Sequence, residues 1–218
     1  MAIDLQEALQ TLRCTTLDMC GLVEQRVDKV VRALAQEDEH LAREVREGDH
    51  DVDTMDVDIE KQCLEILALS HPVAGDLRFV LAVLRINNGL ERIGDEAKSL
   101  AKRVLHLQSV GAPPAPEVIL SMARSTRAML CEAVESFAKE DAAQARQVRT
   151  DDQRVDDLQK EAFSWATSQI PRHVEQTGSA IDYLSIARRL ERIADLSTNL
   201  AEEVIFLVEG EVVRHNQD

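Results

Sequence analysis

The sequence predicts an all-α protein of six long helices in which one three-helix unit is written twice. Three observations carry that reading. Hydrophobic residues make up 44% of the chain but aromatics only 3%, and 8 Gly and 5 Pro serve 218 residues. That balance suits helices packed by Leu, Ile, Val and Ala better than a sheet needing turns and β-branched alternation. Apolar residues recur at steps of three and four along most of the chain, the period of a helix face. Finally, the second half repeats the first. Residues 84–107 match 184–207 at Leu84, Ile86, Leu90, Glu91, Arg92, Ile93, Asp95, Leu100, Ala101, Val104 and Leu107. Residues 35–53 match 138–156 at Ala35, Glu37, Asp38, Ala42, Arg43, Val45, Arg46, Asp49, Val52 and Asp53. A supersecondary unit repeated at about one hundred residues implies a duplication.

The first helix is expected from about Ile3 to Ala35, with Leu5, Leu9, Leu12, Met19, Val23, Val27, Val30 and Leu34 on one seam. Asp38 suits the N-cap of the second, where a short carboxylate accepts from early backbone N–H groups. That helix is expected to run to about Leu69, with Gly48 a weak point but not a stop. Ser70-His71-Pro72-Val73 ends it, because proline cannot continue a helix. Asp76 opens the third helix. Its seam of Ile86, Leu90, Ile93, Ala97, Leu100, Val104 and Leu107 alternates steps of four and three, the heptad of helix bundles.

Gly111-Ala112-Pro113-Pro114-Ala115-Pro116 is the Pro-rich stretch, and it divides the chain. Residues 1–110 form the first repeat, 111–116 the linker, 117–210 the second repeat and 211–218 a C-terminal tail. The second repeat reads as helices over Glu117–Lys139, Asp141–Gln169 and Ile181–Glu209, with Pro171 as breaker. Short connections make neighbouring helices antiparallel.

The formal net charge of −15 argues against nucleic acid as a partner, since phosphate binding needs a basic face. It suits a protein that binds cations or docks on a basic surface. No apolar run approaches the roughly 18 residues of a membrane span, and no signal peptide opens the chain. The expected location is cytoplasmic, with any membrane role exerted through another protein. Cys14, Cys20, Cys63 and Cys131 show no paired spacing and read as small buried apolar residues in a reducing compartment.

Each half carries two acid pairs at spacing i, i+4: Asp49/Asp53 and Glu91/Asp95 in the first, Asp152/Asp156 and Glu191/Asp195 in the second. Residues four apart stack on one helix face, and like charges there destabilise an isolated helix by roughly 0.2–0.5 kcal/mol per pair. Four such pairs at repeat-equivalent positions call for compensation, which a hard divalent or trivalent cation supplies through oxygen ligands. Iron, manganese and magnesium are the expected metals, with zinc a further candidate. The bland alternative is a solvated acidic face, for 40 of the 218 residues are acidic. Arg92 and Arg192 offer themselves equally as salt-bridge partners of these acids. Glu37–His40 and Glu47–His50 have the Glu-x-x-His spacing of ferritin-like iron sites. Their duplicates carry Ala143 and Gln153, so that spacing reads as chance. No Ser/His/Asp or Cys/His set and no Gly-rich phosphate loop is visible, so no enzyme is expected. The rival reading is an oxygen-activating di-metal enzyme in a helix bundle; a metal-free scaffold is a third.

Gly48-Asp49-x-x-Val52-Asp53, His71-Pro72-Val73-Ala74-Gly75-Asp76-Leu77-Arg78, Glu91-Arg92-Ile93-Gly94-Asp95 and Glu191-Arg192-Ile193-Ala194-Asp195 together closely resemble the PhoU family, over nearly the whole chain. The resemblance implies two three-helix bundles side by side, related by a pseudo-twofold, with a multinuclear metal site on each. The family's acid-xxx-acid ligands fall on Glu91 and Asp95 and on Glu191 and Asp195; Asp49, Asp53, Asp152 and Asp156 take the facing pattern. The second half lacks the Pro-x-Ala-x-Asp-Leu-Arg segment. The implied role is negative regulation of phosphate uptake and phosphate-starvation signalling, as an adaptor between the ATP-binding subunit of the phosphate ABC transporter and a sensor histidine kinase. The expected assembly is a homodimer.

Overall fold

The structure is a computed structural model that describes residues 4–48 and 50–213. Among the described residues seven α-helices follow in chain order: α1 (Leu5–Gln36), α2 (Glu39–Glu47), α3 (His50–Ser70), α4 (Ala74–Ser109), α5 (Glu117–Lys139), α6 (Ala142–Gln169) and α7 (Thr177–Glu209). A 3₁₀ turn over Val174–Gln176 precedes α7. Helices α1, α2/α3 and α4 pack as one bundle; α5, α6 and α7 form the second. The two are joined through α4 against α7 and α1 against α5. No helix is long and apolar enough to cross a membrane among the described residues.

The duplication reaches down to single caps. Glu37 and Glu140, 103 positions apart, both take the left-handed conformation that ends the preceding helix (φ 55° and 54°). Next to each, an aspartate caps the following helix. Asp38 accepts from the N–H groups of His40 and Leu41 at 2.9 and 3.1 Å, and Asp141 from those of Ala143 and Gln144 at 2.9 and 3.0 Å. A side-chain cap of this kind contributes about 1 kcal/mol. Asp4 does the same for α1; Ile3 lies outside the described residues.

The repeated seams are the core. Leu90, Ile93, Leu100 and their mates Leu190, Ile193 and Leu200 are buried, each burial worth roughly 1.5–3 kcal/mol. Tyr183 is buried against the linker, its hydroxyl donating to the Pro113 carbonyl at 2.6 Å, which fastens the junction of the halves.

The second helix of the first repeat is not continuous. The sequence treats Gly48 as tolerated within a helix, but α2 ends on it and α3 begins at His50. The cause lies on another helix. Buried Arg26 of α1 donates to the carbonyls of Gly48 and of Val45 (3.0 Å), groups that a continuing helix would have bonded itself. Arg26 thereby completes the C-terminus of α2. In the second repeat Asp151 stands at the Gly48 position and Met129 at that of Arg26, and α6 runs unbroken. The cysteines also divide: Cys20 and Cys63 are buried, with thiols pushed up to about 12 chiefly by burial, but Cys14 and Cys131 are exposed.

Candidate functional site

The acids predicted from spacing fall where the second and third helices of each repeat face one another. In the first repeat Asp53 lies on α3, with Glu91 and Asp95 on α4; Asp49 lies outside the described residues. Gly94 sets the approach of the two helices. A Cβ there would stand 3.3 Å from a methyl of Val52, so the glycine lets α3 sit close against α4 beside the acids. The carboxyl of half-buried Glu91 is raised above its ordinary range. Burial is the largest cause, followed by the charges of Asp95, Asp56 and Asp53, with Arg92 opposing.

Asp56 is the residue that sequence reasoning missed. It lies one turn beyond Asp53 on α3, and its carboxyl is raised by burial and by the charges of Glu60 and Asp53. Asn87 of α4 holds it in place. The signal was present as an i, i+3 acid pair, but the duplicate position holds Gln159, so the repeat gave no hint of it.

All four predicted acids of the second repeat come together. Asp152 and Asp156 on α6 face Glu191 and Asp195 on α7. Asp152 is pushed up to about 6, first by burial and then by Asp195 and Asp156, with the Thr198 hydroxyl opposing. Glu191 is raised by burial and by Asp195, Asp156 and Asp152; Asp195 is raised by burial and by Asp156. Asp152, Glu191 and Asp195 each feel the charge of acids on the facing helix.

The arginines of the repeated motif do not clasp these acids. Arg192 pairs with Glu96 across the α4–α7 seam (Nε–Oε1 3.0 Å), and Arg92 makes no ion pair among the described residues. Of the two Glu-x-x-His spacings, the first leaves His40 exposed and paired with Glu44 at 3.1 Å.

The donors in both clusters are carboxylate oxygens, the chemistry of a hard cation. As the side chains stand, no three His, Cys, Asp or Glu among the described residues converge on one point at ligand distance.

A family model described as the PhoU domain matches the chain twice, over residues 16–104 and 119–204. The chain belongs to the PhoU family. Its PhoU relatives include a Pseudomonas aeruginosa protein named as a phosphate-specific transport system accessory protein PhoU homolog, 36% identical over 95% of this chain and 86% of the relative. The Escherichia coli phosphate-specific transport system accessory protein PhoU is 31% identical over the same shares of the two chains. The crystal structure of PhoU from Pseudomonas aeruginosa superposes with a TM-score of 0.92 at 34% identity, covering 95% of this chain and 100% of that one. The phosphate transport system regulatory protein PhoU from Streptococcus pneumoniae gives 0.84 at 29%, covering 96% and 99%. The paired three-helix architecture is thus that of solved PhoU proteins.

Proposed function

We propose that this PhoU chain is a non-enzymatic accessory protein that restrains phosphate uptake and phosphate-starvation signalling from the cytoplasmic side of the membrane. In this reading it is an adaptor between the ATP-binding subunit of a phosphate ABC transporter and a sensor histidine kinase. The observation that carries the reading is the match of both repeats to a family whose members bear accessory and regulatory names in phosphate transport.

Each acidic cluster serves as a cation site. Bound iron, manganese, magnesium or zinc would supply concentrated positive charge, neutralising carboxylates that the fold holds together. Asp53, Asp56, Glu91 and Asp95 hold the ion in the first repeat, with Asp49 assigned by its place in the motif. Asp152, Asp156, Glu191 and Asp195 hold it in the second. The chain's own contribution is positional: two rigid helices bring the acids into register, and Gly94 lets α3 and α4 approach.

Crosslinking and capture of the tagged protein from phosphate-replete cells tests the adaptor. Recovery of the transporter ATP-binding subunit together with a sensor kinase is the expected result. Recovery of neither, from cells that produce both, would sink it.

A further inference from the structure

Helices α4 and α7 are the equivalent third helices of the two repeats and run antiparallel along their seam, so a contact across it has a mate about one hundred positions away. At one place Glu96 of α4 is gripped twice by α7, by Arg189 (Nη1–Oε2 2.9 Å) and by Arg192 (Nε–Oε1 3.0 Å). The mates of these three residues are Leu196, Gly89 and Arg92. One arginine is kept, the other has become glycine, and the carboxylate they shared has become a leucine.

What remains there is a groove of about 580 Å³ between the helices. Leu196 and Leu200 give it apolar floor, Gly89 leaves it open, and the carboxamides of Asn88 and Asn199 stand on its rim. The other charges along it are matched internally: Arg85 pairs with Glu203 at 3.1 Å and Arg149 with Glu202 at 3.5 Å. Arg92 lines the same groove and makes no hydrogen bond or ion pair among the described residues. Its charge favours the ionised form of its chain neighbour Glu91.

We propose that this groove docks an acidic peptide segment of a partner protein, whose carboxylate takes beside Arg92 the place that Glu96 fills at the mate position. A guanidinium fork without an internal acid suits a planar carboxylate held by two parallel hydrogen bonds. The two asparagines can bond the peptide backbone. The volume falls within the range of pockets that enclose small organic ligands rather than a bare ion, and the leucine floor receives an aliphatic side chain beside the acid. A net charge of −15 repels acids in general, so recognition here is local and depends on the fit at Arg92.

The test is an NMR titration of the full chain with acetyl-Ala-Leu-Glu-Leu-Ala-amide, with the same peptide carrying Gln for Glu, and with inorganic phosphate. The Glu peptide is expected to shift the side-chain amides of Asn88 and Asn199 saturably, and the Gln peptide to bind at least tenfold more weakly. Two variants remove the site by different means. Arg92→Gln takes away the charge. Gly89→Leu fills the groove with apolar bulk, and since a Cβ at Gly89 meets nothing within 4 Å it is expected to fold, with an unchanged or raised melting temperature. Both should abolish the shifts. Absence of saturable shifts with the Glu peptide, equal binding of the Gln peptide, or undiminished binding to Arg92→Gln would overturn the proposal. So would phosphate that saturates the same amides and is not displaced by peptide, which would make this a free-anion site.

Discussion

Asn87 on α4 reaches across the first bundle to Asp56 on α3, donating through Nδ2 to its backbone carbonyl at 3.0 Å and to its carboxylate Oδ1 at 2.7 Å. One buried carboxamide thus fixes both the spacing of the two helices and the position of an acid within the cluster. The second repeat has no counterpart, with Ala187 at the Asn87 position and Gln159 at that of Asp56.

Asn87→Ala should therefore destabilise the first bundle by roughly 1–2 kcal/mol, the usual cost of deleting buried hydrogen bonds to an acceptor left behind. Because Asn87 stabilises the ionised form of Asp56, the carboxyl should also titrate higher in the variant. Urea unfolding reads the first effect and carboxyl NMR shifts read the second. An unchanged midpoint, with Asp56 titrating as before, would show that the contact does not hold the two helices.

The second cluster predicts a pH dependence. Asp152 has an ordinary value of 3.8 when unfolded and about 6 when folded, so the folded state holds its proton more tightly. A raised folded value means that this group's contribution is fully present below pH 3.8 and is lost as pH rises through about 6. With cations chelated, the wild type should lose stability relative to Asp152→Asn over that window. At pH 7 the variant should be the more stable by about 1 kcal/mol, a figure reduced for solvent screening of a half-buried carboxylate. Thermal melts of both proteins in chelator from pH 3.5 to 7.5 check this; parallel curves would contradict it.

Cation binding should remove that penalty, and it should do so half by half. Glu191→Ala with Asp195→Ala is expected to abolish metal at the second repeat and leave the first loaded, since the two clusters lie in separate bundles. Metal analysis after equilibration with manganese, beside the mirror variant Glu91→Ala with Asp95→Ala, gives the stoichiometry. Equal loss from both repeats in either variant would mean a shared site instead of one per bundle. Wild-type melting that ignores both cation and chelator would leave only a solvated acidic face.

Most of the architecture is legible in the residues because helices are local. A stripe at steps of three and four defines α1, α4 and α7; Asp38 and Asp141 mark the starts of α2 and α6; Pro72 and the linker prolines mark the breaks. The observed α5, Glu117–Lys139, has the bounds that the pattern predicts. The acidic positions are legible for a different reason: a duplicated chain repeats what both halves need, so Glu91, Asp95 and their mates stand out from a chain rich in acids.

By itself, then, the sequence determined the fold class, the duplication and the family, since all of these rest on short-range periodicity, on self-similarity or on short motifs. Three features waited for the tertiary structure. The break at Gly48 depends on Arg26, which comes from α1 to take the carbonyls of α2. Asp56 joins the first cluster through Asn87, thirty-one positions away, in a contact with no duplicate to announce it. The groove at Arg92 exists because Leu196 and Gly89 stand where the mate contact has an acid and a second arginine. Each is a long-range meeting of side chains, and no periodicity along one helix encodes what another helix brings to meet it.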